Sequence, residues 1–363
     1  MKYKYLLIYF LTFGLSRSNT SEALFIQDSF KPFHHVSAEY KNNSVIPDSK
    51  EKHIQHKIRE YLLTNHISGS VVVLKNNKKF FSEGIGYSDL SNRTLNSPST
   101  TYPVGSITKT IVAVCILQLQ EIGKLRIQDS ISEYVPYLPE NIKIVHLLNH
   151  TSGIRPPIGH VGEKEPKDLI KLAGNRGSKF PAGTKWDYND INYIVLGHIV
   201  EQVSGLPLHE YIKKNIFNKA SMVNAGFITF EKPAPFSSKG YIKIAGRFIH
   251  SSKLNTHLLF GCGDIYATAL DLSLFDEALM NGKLISNKSI KEMVAPGPKS
   301  SYGLGLYHAD DRVYSRGVVG GWESLHVYYD DKTSIVVLLN VRDIQCDIKK
   351  VAAGIYSIMK EQV

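Results

Sequence analysis

Among the stretches of this chain that place a serine three residues ahead of a lysine are Ser49-Lys50-Glu51-Lys52 and Ser106-Ile107-Thr108-Lys109. Residues three apart on a helix share a face, so the lysine of such a pair can approach the serine hydroxyl. A serine alcohol is a weak nucleophile until a base removes its proton. A partly desolvated lysine can do this at neutral pH, because burial disfavours its charged form. Context separates the two copies. The first lies in a polar stretch without sustained periodicity. The second follows Pro103-Val104-Gly105 and opens the most apolar helical run in the chain. A helix N-terminus there offers unpaired backbone N–H groups and a positive dipole end to an oxyanion. The competing reading of Ser106 is an N-cap serine followed by a solvated lysine.

The elements that must hold this pair can be read around it. A helix is expected near Glu51–Leu63, and Asn76-Asn77 between Ser70–Leu74 and Phe80–Gly86 predicts a tight β-hairpin. Thr110–Ile122 is apolar almost all round, the pattern of a helix buried on every side, with Gly123 placed to end it. Further helices are expected at Val145–Leu148, Asn192–Val203, Pro207–Lys213 and Ala269–Asn281. Strands follow at Leu325–Tyr329 and Ser334–Leu339, joined by Asp330-Asp331-Lys332, before a closing helix over Asp347–Lys360. Strands at both ends with helices between them predict a sheet completed by the two termini, with a helical region inserted in the middle.

The segment Tyr102-Pro103-Val104-Gly105-Ser106-Ile107-Thr108-Lys109-Thr110 resembles the nucleophile segment of the class C β-lactamase superfamily, which also holds D-alanyl-D-alanine carboxypeptidases and related esterases. The likeness continues through His146-Leu147-Leu148-Asn149-His150-Thr151-Ser152-Gly153-Ile154, Pro181-Ala182-Gly183, the run Gly261 to Thr268 with Asp271-Leu272, and Tyr302-Gly303-Leu304-Gly305. It covers residues 55 to 342 in the family's order. The resemblance implies an α/β fold of the α+β type, β-lactamase/transpeptidase-like. A mainly antiparallel sheet is flanked by helices, with a helical subdomain beside it and the site between.

The family's second motif, Y-x-N, is matched by Tyr188-Asn189-Asp190, which gives Tyr188 the role of an acid and base shared with Lys109. A free tyrosine titrates near 10 and needs a close cation to act as phenolate at neutral pH. Asp190 stands where the family has asparagine. A carboxylate only accepts hydrogen bonds, so Asp190 is expected to pair with Lys109, keep it protonated and shift the base role toward Tyr188. Asn192 and Tyr193 are expected to start the next helix. The third motif, K-T-G or H-x-G, is degraded in Gly317-Val318-Val319-Gly320-Gly321-Trp322-Glu323-Ser324, where Val318 takes the cationic position. Gly320 and Gly321 would let substrate backbone approach closely. By resemblance the Gly321 N–H joins that of Ser106 as oxyanion hole. Arg316, two residues upstream of Val318, points to the same face of a strand and either restores positive charge or is an ordinary exposed arginine. Trp322 either lines the acyl pocket or packs in the core. His146, His150 and His326 need no catalytic role, and a Ser-His-Asp triad is not favoured.

The chain has 363 residues, 43% of them apolar, enough for a full core. Its +10 formal charge favours loose association with anionic surfaces, but no nucleic-acid-binding pattern accompanies it. Lys2 and Lys4 precede the apolar run Tyr5–Leu15, and Ser18–Ala23 is a plausible cleavage zone. Residues 1–23 are therefore expected to be an export signal, with an uncleaved anchor as the alternative, and 24–50 a flexible lead-in to a domain over 51–363. The product would be periplasmic or secreted, with no membrane span after signal removal. Cys115, Cys262 and Cys346 are scattered and odd in number, with Cys115 expected in the core. No CxxC or HExxH spacing supports a metal.

The resulting reading is a serine hydrolase that needs no cofactor. Ser106 attacks an ester or amide carbonyl, Lys109 and Tyr188 move protons, and water releases the acyl group. Small-molecule or peptide acyl substrates fit, β-lactams and D-Ala peptides among them, although Val318 argues against a substrate carboxylate. The alternative, drawn from Asp190 and Val318, is a catalytically weak or inactive binding or regulatory homologue that keeps the cleft. Neither reading specifies an oligomeric state.

Overall fold

A computed structural model describes residues 25–26, 49–157, 164–251 and 254–361. The expected signal segment 1–23 and most of 24–50 lie outside the described residues. Within that lead-in, Phe25–Ile26 pairs with Arg247–His250, and Ser49 already caps the first helix.

Helix α1 (Lys50–Thr64) carries Ile54, Ile58 and Leu62 at four-residue spacing, which makes one apolar stripe. Strands β1 (Gly69–Lys75) and β2 (Lys78–Ile85) follow as the predicted hairpin. Asn76 and Asn77 both take positive φ, +49° and +63°, the conformation a two-residue turn needs to match strand twist. After the helical region come β3 (Tyr307–Ala309), β4 (Arg312–Val319), β5 (Trp322–Tyr329) and β6 (Thr333–Leu339). They assemble as β3-β4-β5-β6-β1-β2, antiparallel throughout. The two ends of the chain meet where β6 pairs with β1, Val336 opposite Val72.

Side chains alternate across this sheet with period two. Val71, Val73, Leu325, Val327, Ile335 and Val337 face a core shared with α1 and with the closing helix Ile348–Lys360. Val72, Leu74, Val336 and Leu338 face the main core. At its centre is α2 (Ile107–Glu121), in which every residue from Ile107 to Leu119 is buried. The all-round apolar pattern thus became a helix with no solvent face. Gly123, at φ +71°, ends it. Helix α5 (Ile191–Ser204) packs against α2, helices α3 (Ile144–Leu148) and α4 (Pro166–Gly174) pack on α5 in turn, and α6 (Ala269–Met280) closes the core against β6. All three cysteines are free, with Cys115 buried as expected. No helix among the described residues is long and apolar enough to cross a membrane.

Candidate active site

The entry to α2 is held by a short ladder. Tyr102–Pro103 pairs with Ile265–Ala267, and Val104 N–H donates to the Ile265 carbonyl at 2.9 Å. The run Gly261 to Thr268 is therefore the rail on which the nucleophile segment rests. Gly105 makes the turn at φ +53°. A Cβ there would also fall 3.1 Å from the Val318 amide nitrogen, so only glycine fits both the angle and the approach. Ser106 is already in right-handed helical conformation (φ −61°, ψ −7°), and its side chain makes no cap bond to its own helix. The capping alternative is therefore not what forms.

The Ser106 hydroxyl instead receives a hydrogen bond from Lys109 Nζ at 3.0 Å. Lys109 is 1% exposed. Its ammonium also donates to the Cys262 carbonyl at 2.8 Å and pairs with Asp190 Oδ1 at 2.7 Å. These are three acceptors for three N–H bonds, drawn from α2, the 261–268 run and the start of α5. Burial alone would push the lysine's pKa down. The Asp190 charge and hydrogen bond, with further electrostatic support from Tyr188 and Cys262, more than reverse this and hold Lys109 as ammonium.

Asp190 occupies the N-cap of α5 but makes no cap bond, because its carboxylate is turned to Lys109. Its side chain is 61% exposed, so one end of the ion pair is open to solvent while the other is sealed. Tyr188 lies beside them, with its ring centroid 5.1 Å from Lys109 Nζ. Burial of its hydroxyl end, together with the Asp190 charge, raises its pKa and outweighs the Lys109 charge and the Ser106 hydrogen bond, which lower it, even though 37% of the residue remains open. The tyrosine proton is therefore held on in the resting site.

The loop that presents Tyr188 is anchored by His150, which is fully buried at φ +58°. Its carbonyl accepts from Asp187 N–H at 2.9 Å, and its Nδ1 accepts from Asn189 N–H at 3.2 Å and lies 3.0 Å from Asn192 Nδ2. Its ring packs 4.3 Å from that of Tyr188. Burial first, and the Lys109 charge second, press its pKa well below the usual value, so it is a neutral spacer. Asn192 and Tyr193 begin α5 as expected, and Tyr193 Oη donates to the Leu148 carbonyl at 2.8 Å. The other two histidines set aside earlier also have structural partners. His146 Nδ1 accepts from Lys143 N–H at 3.1 Å. His326 Nδ1 lies 2.5 Å from Asp276 Oδ1, and Ser334 donates to the other Asp276 oxygen at 2.8 Å. There the serine bonds the carboxylate instead of the imidazole, so the group lacks the order of a catalytic triad.

The structure thus brings Ser106, Lys109, Tyr188 and Asp190 together. Gly320 and Gly321 form the turn from β4 to β5, with Gly320 at φ +54° and a Cβ at Gly321 falling 2.3 Å from the Tyr241 amide nitrogen. Trp322 is 4% exposed and donates to Ser238 Oγ at 2.9 Å, beside Phe236. Of its two readings, the core position is the one observed. Arg316 lies opposite Leu325 on the neighbouring strand, and its guanidinium is bound 2.6 Å from Glu323 Oε1. Glu323 is 4% exposed at its side chain, so the arginine's charge is offset by a buried acid and does not replace a cation at Val318.

Two features escaped the sequence reading. The Cys262 carbonyl is a backbone group, invisible in a residue-type motif. Gly317 is the glycine that meets the Ser106 turn: a Cβ there would fall 1.9 Å from the Val104 carbonyl and 2.9 Å from the Ser106 amide nitrogen. Ser324, opposite it, donates to the same Val104 carbonyl at 2.7 Å. The signal for Gly317 was its place at the head of the glycine-rich segment.

Comparison with known proteins agrees with this geometry. The family model described as Beta-lactamase matches residues 54–349. A Bacillus subtilis (strain 168) protein named for penicillin binding, PbpX, is 37% identical over 84% of this chain and 78% of its own length. A Staphylococcus aureus teichoic acid D-alanine hydrolase is 27% identical over 83% of this chain and 79% of its own. A solved penicillin-binding protein from Bacillus halodurans superposes with a TM-score of 0.75 at 25% identity, covering 83% of this chain and 98% of the other. The chain belongs to the beta-lactamase family of serine hydrolases.

Proposed function

We propose that this chain hydrolyses esters or amides through an acyl-Ser106 intermediate, and that its preferred acyl group carries a free ammonium. The observation that carries the reading is the Lys109 ammonium, buried and directed at once to Ser106 Oγ, the Cys262 carbonyl and Asp190 Oδ1. A lysine held as ammonium is not yet a base. It becomes one when it passes a proton to Asp190, 2.7 Å away, and takes the Ser106 proton in return. The Ser106 oxygen then attacks the carbonyl, and the oxyanion is received by the Ser106 N–H beside the strand edge at Gly317-Val318 that lies against it, because Gly321, the donor expected by resemblance, sits in the β4–β5 turn against Tyr241. Tyr188, still protonated, gives its phenol proton to the departing alcohol or amine, leaving a phenolate beside the lysine ammonium. In the second half Tyr188 recovers a proton from water and the resulting hydroxide attacks the acyl carbon. Ser106 leaves with a proton from Lys109, which Asp190 replenishes.

The substrate preference follows from charge. The family's asparagine has become a carboxylate at Asp190, and its cation has become Val318. Relative to that pattern the cleft has lost positive charge and gained negative charge. A substrate carboxylate is disfavoured and an α-ammonium near Asp190 is favoured. An aminoacyl ester of the kind named for the S. aureus relative has this character. A second reading, a binding homologue with little turnover, draws on the fact that neither Lys109 nor Tyr188 is a base in the resting state.

The test compares D-alanyl and N-acetyl-D-alanyl esters of one alcohol, with intact mass after a fluorophosphonate as a separate readout. A single adduct lost in Ser106→Ala, together with at least tenfold higher kcat/KM for the free amine, is expected. Asp190→Asn should shrink that preference to about threefold or less. Absence of an adduct in folded protein would move the assignment to the binding homologue. An adduct with equal rates for both esters would keep the hydrolase and remove the ammonium preference.

A further inference from the structure

On the helical side of the molecule lies a second cavity, of about 570 Å³. Its lining from α5 is His198 and Glu201, eight and eleven residues beyond Asp190. At the helical rise this places them about 12 and 16 Å along the axis from the acid at the nucleophile. On α5 the cavity thus lies well beyond Asp190, while Phe260 and Asp264 bound it behind the Gly261-Cys262 stretch that faces Lys109.

We propose that this cavity binds a small organic ammonium with an apolar body. Four carboxylates line it, Glu165, Glu201, Glu231 and Asp264, against one lysine, Lys167. This local excess of negative charge occurs in a chain whose formal charge is +10. Acidic lining alone would not define a ligand, but Asp264 adds a second observation. It is 2% exposed, and its Oδ2 is 2.8 Å from His209 Nε2 and accepts from Gly261 N–H at 3.2 Å. Its other oxygen, Oδ1, is buried with no hydrogen-bond partner. A buried carboxylate oxygen without a donor is costly, and an ammonium supplies donors together with compensating charge. His257 Nε2, also of this cavity, is likewise buried without a partner and can accept from such a group.

The walls indicate the rest of the ligand. Phe260 and Ile228 give an apolar lining, and Phe230, 56% exposed at the rim, presents a ring face to an entering cation. A metal ion is the poorer fit, because no three His, Cys, Asp or Glu side chains among the described residues converge as a ligand set.

The experiment is calorimetric titration of the whole chain with 2-phenylethylamine, which has no acyl carbon and cannot be turned over at Ser106. One saturable site is expected, with 2-phenylethanol binding at least tenfold more weakly. Asp264→Asn should weaken the amine at least tenfold and Phe230→Ala about threefold, while Ser106→Ala and Asp190→Asn leave it unchanged. If Asp264→Asn fails to fold, Phe230→Ala and the alcohol comparison decide. No saturable binding, equal affinity for the alcohol, loss of binding in the Ser106 or Asp190 variants, or displacement of the amine by stoichiometric Zn²⁺ would each overturn the assignment.

Discussion

The four-residue pattern shared by Ser49–Lys52 and Ser106–Lys109 folds to opposite ends in the two places. Ser49 is extended at φ −137° and its hydroxyl accepts from Lys52 N–H at 3.3 Å, while the Lys52 side chain is exposed. Ser106 is helical, makes no cap bond, and receives the Lys109 ammonium inside a core where every neighbour along the helix is buried. The difference begins one residue earlier. Gly105 makes the turn with a positive φ, so Ser106 enters the helix already wound and its hydroxyl is not drawn to its own backbone. Serine and lysine at this spacing are therefore only a possibility; the preceding turn and the surrounding burial decide whether they cap a helix or set a serine hydroxyl against a buried ammonium.

The comparison breaks most visibly at the lysines. Lys109→Met should lower kcat/KM at least 10³-fold in ester hydrolysis, with the fold retained by circular dichroism, whereas Lys52→Met should leave the rate within twofold. Comparable losses in both would show that the spacing alone matters. Next comes the surrounding protonation. His150 is held neutral when folded, with its pKa depressed, so the unfolded chain binds one more proton in the interval between the folded value and about 6.5. Stability supplied by this residue is present above that interval and lost as pH falls through it, by up to about 1.4 kcal/mol per pH unit. Urea titrations between pH 7 and pH 5 should show a shallower decline in His150→Gln than in the parent, and parallel curves would refute the assignment. The smallest effect belongs to the first copy. Ser49→Ala should cost about 1 kcal/mol of stability for a lost cap and leave hydrolysis unaltered. A rate change there would mean that the two copies are not independent.

Much of this arrangement could be read from local residues. The Asn76-Asn77 turn, the all-buried α2 and the approach of Lys109 to Ser106 each follow from a few neighbouring side chains. The Asp190 pairing with Lys109 followed from replacing an amide by an acid. What could not be read depends on register between distant segments. The Cys262 carbonyl is 153 residues from the lysine it serves. Arg316 was expected to face as Val318 does, and strand alternation gives that. Its capture by Glu323 required knowing that Arg316 and Val318 stand opposite Leu325 and Glu323 on β5. Gly317 is similar: its contact with the Ser106 turn exists only because β4 passes directly over it. The strands Tyr102–Pro103 and Ile265–Ala267, two and three residues long, are too short to leave any periodic trace.

The pairing of β6 with β1 has a consequence for how the molecule comes into being. Val72 meets Val336, 264 residues later, and the sheet's central ladder cannot close until Thr333–Leu339 has been synthesised. Until then β1 lacks one neighbour and both cores lack a wall. Contacts of such sequence separation make folding slow, because a long loop must close before any pairing energy is returned. The hairpin of β1 and β2 can form early by itself. Assembly of the Ser106 turn needs β4 over Gly105 and the 261–268 run beneath it, so the proposed site cannot form until the chain has been made as far as Val319.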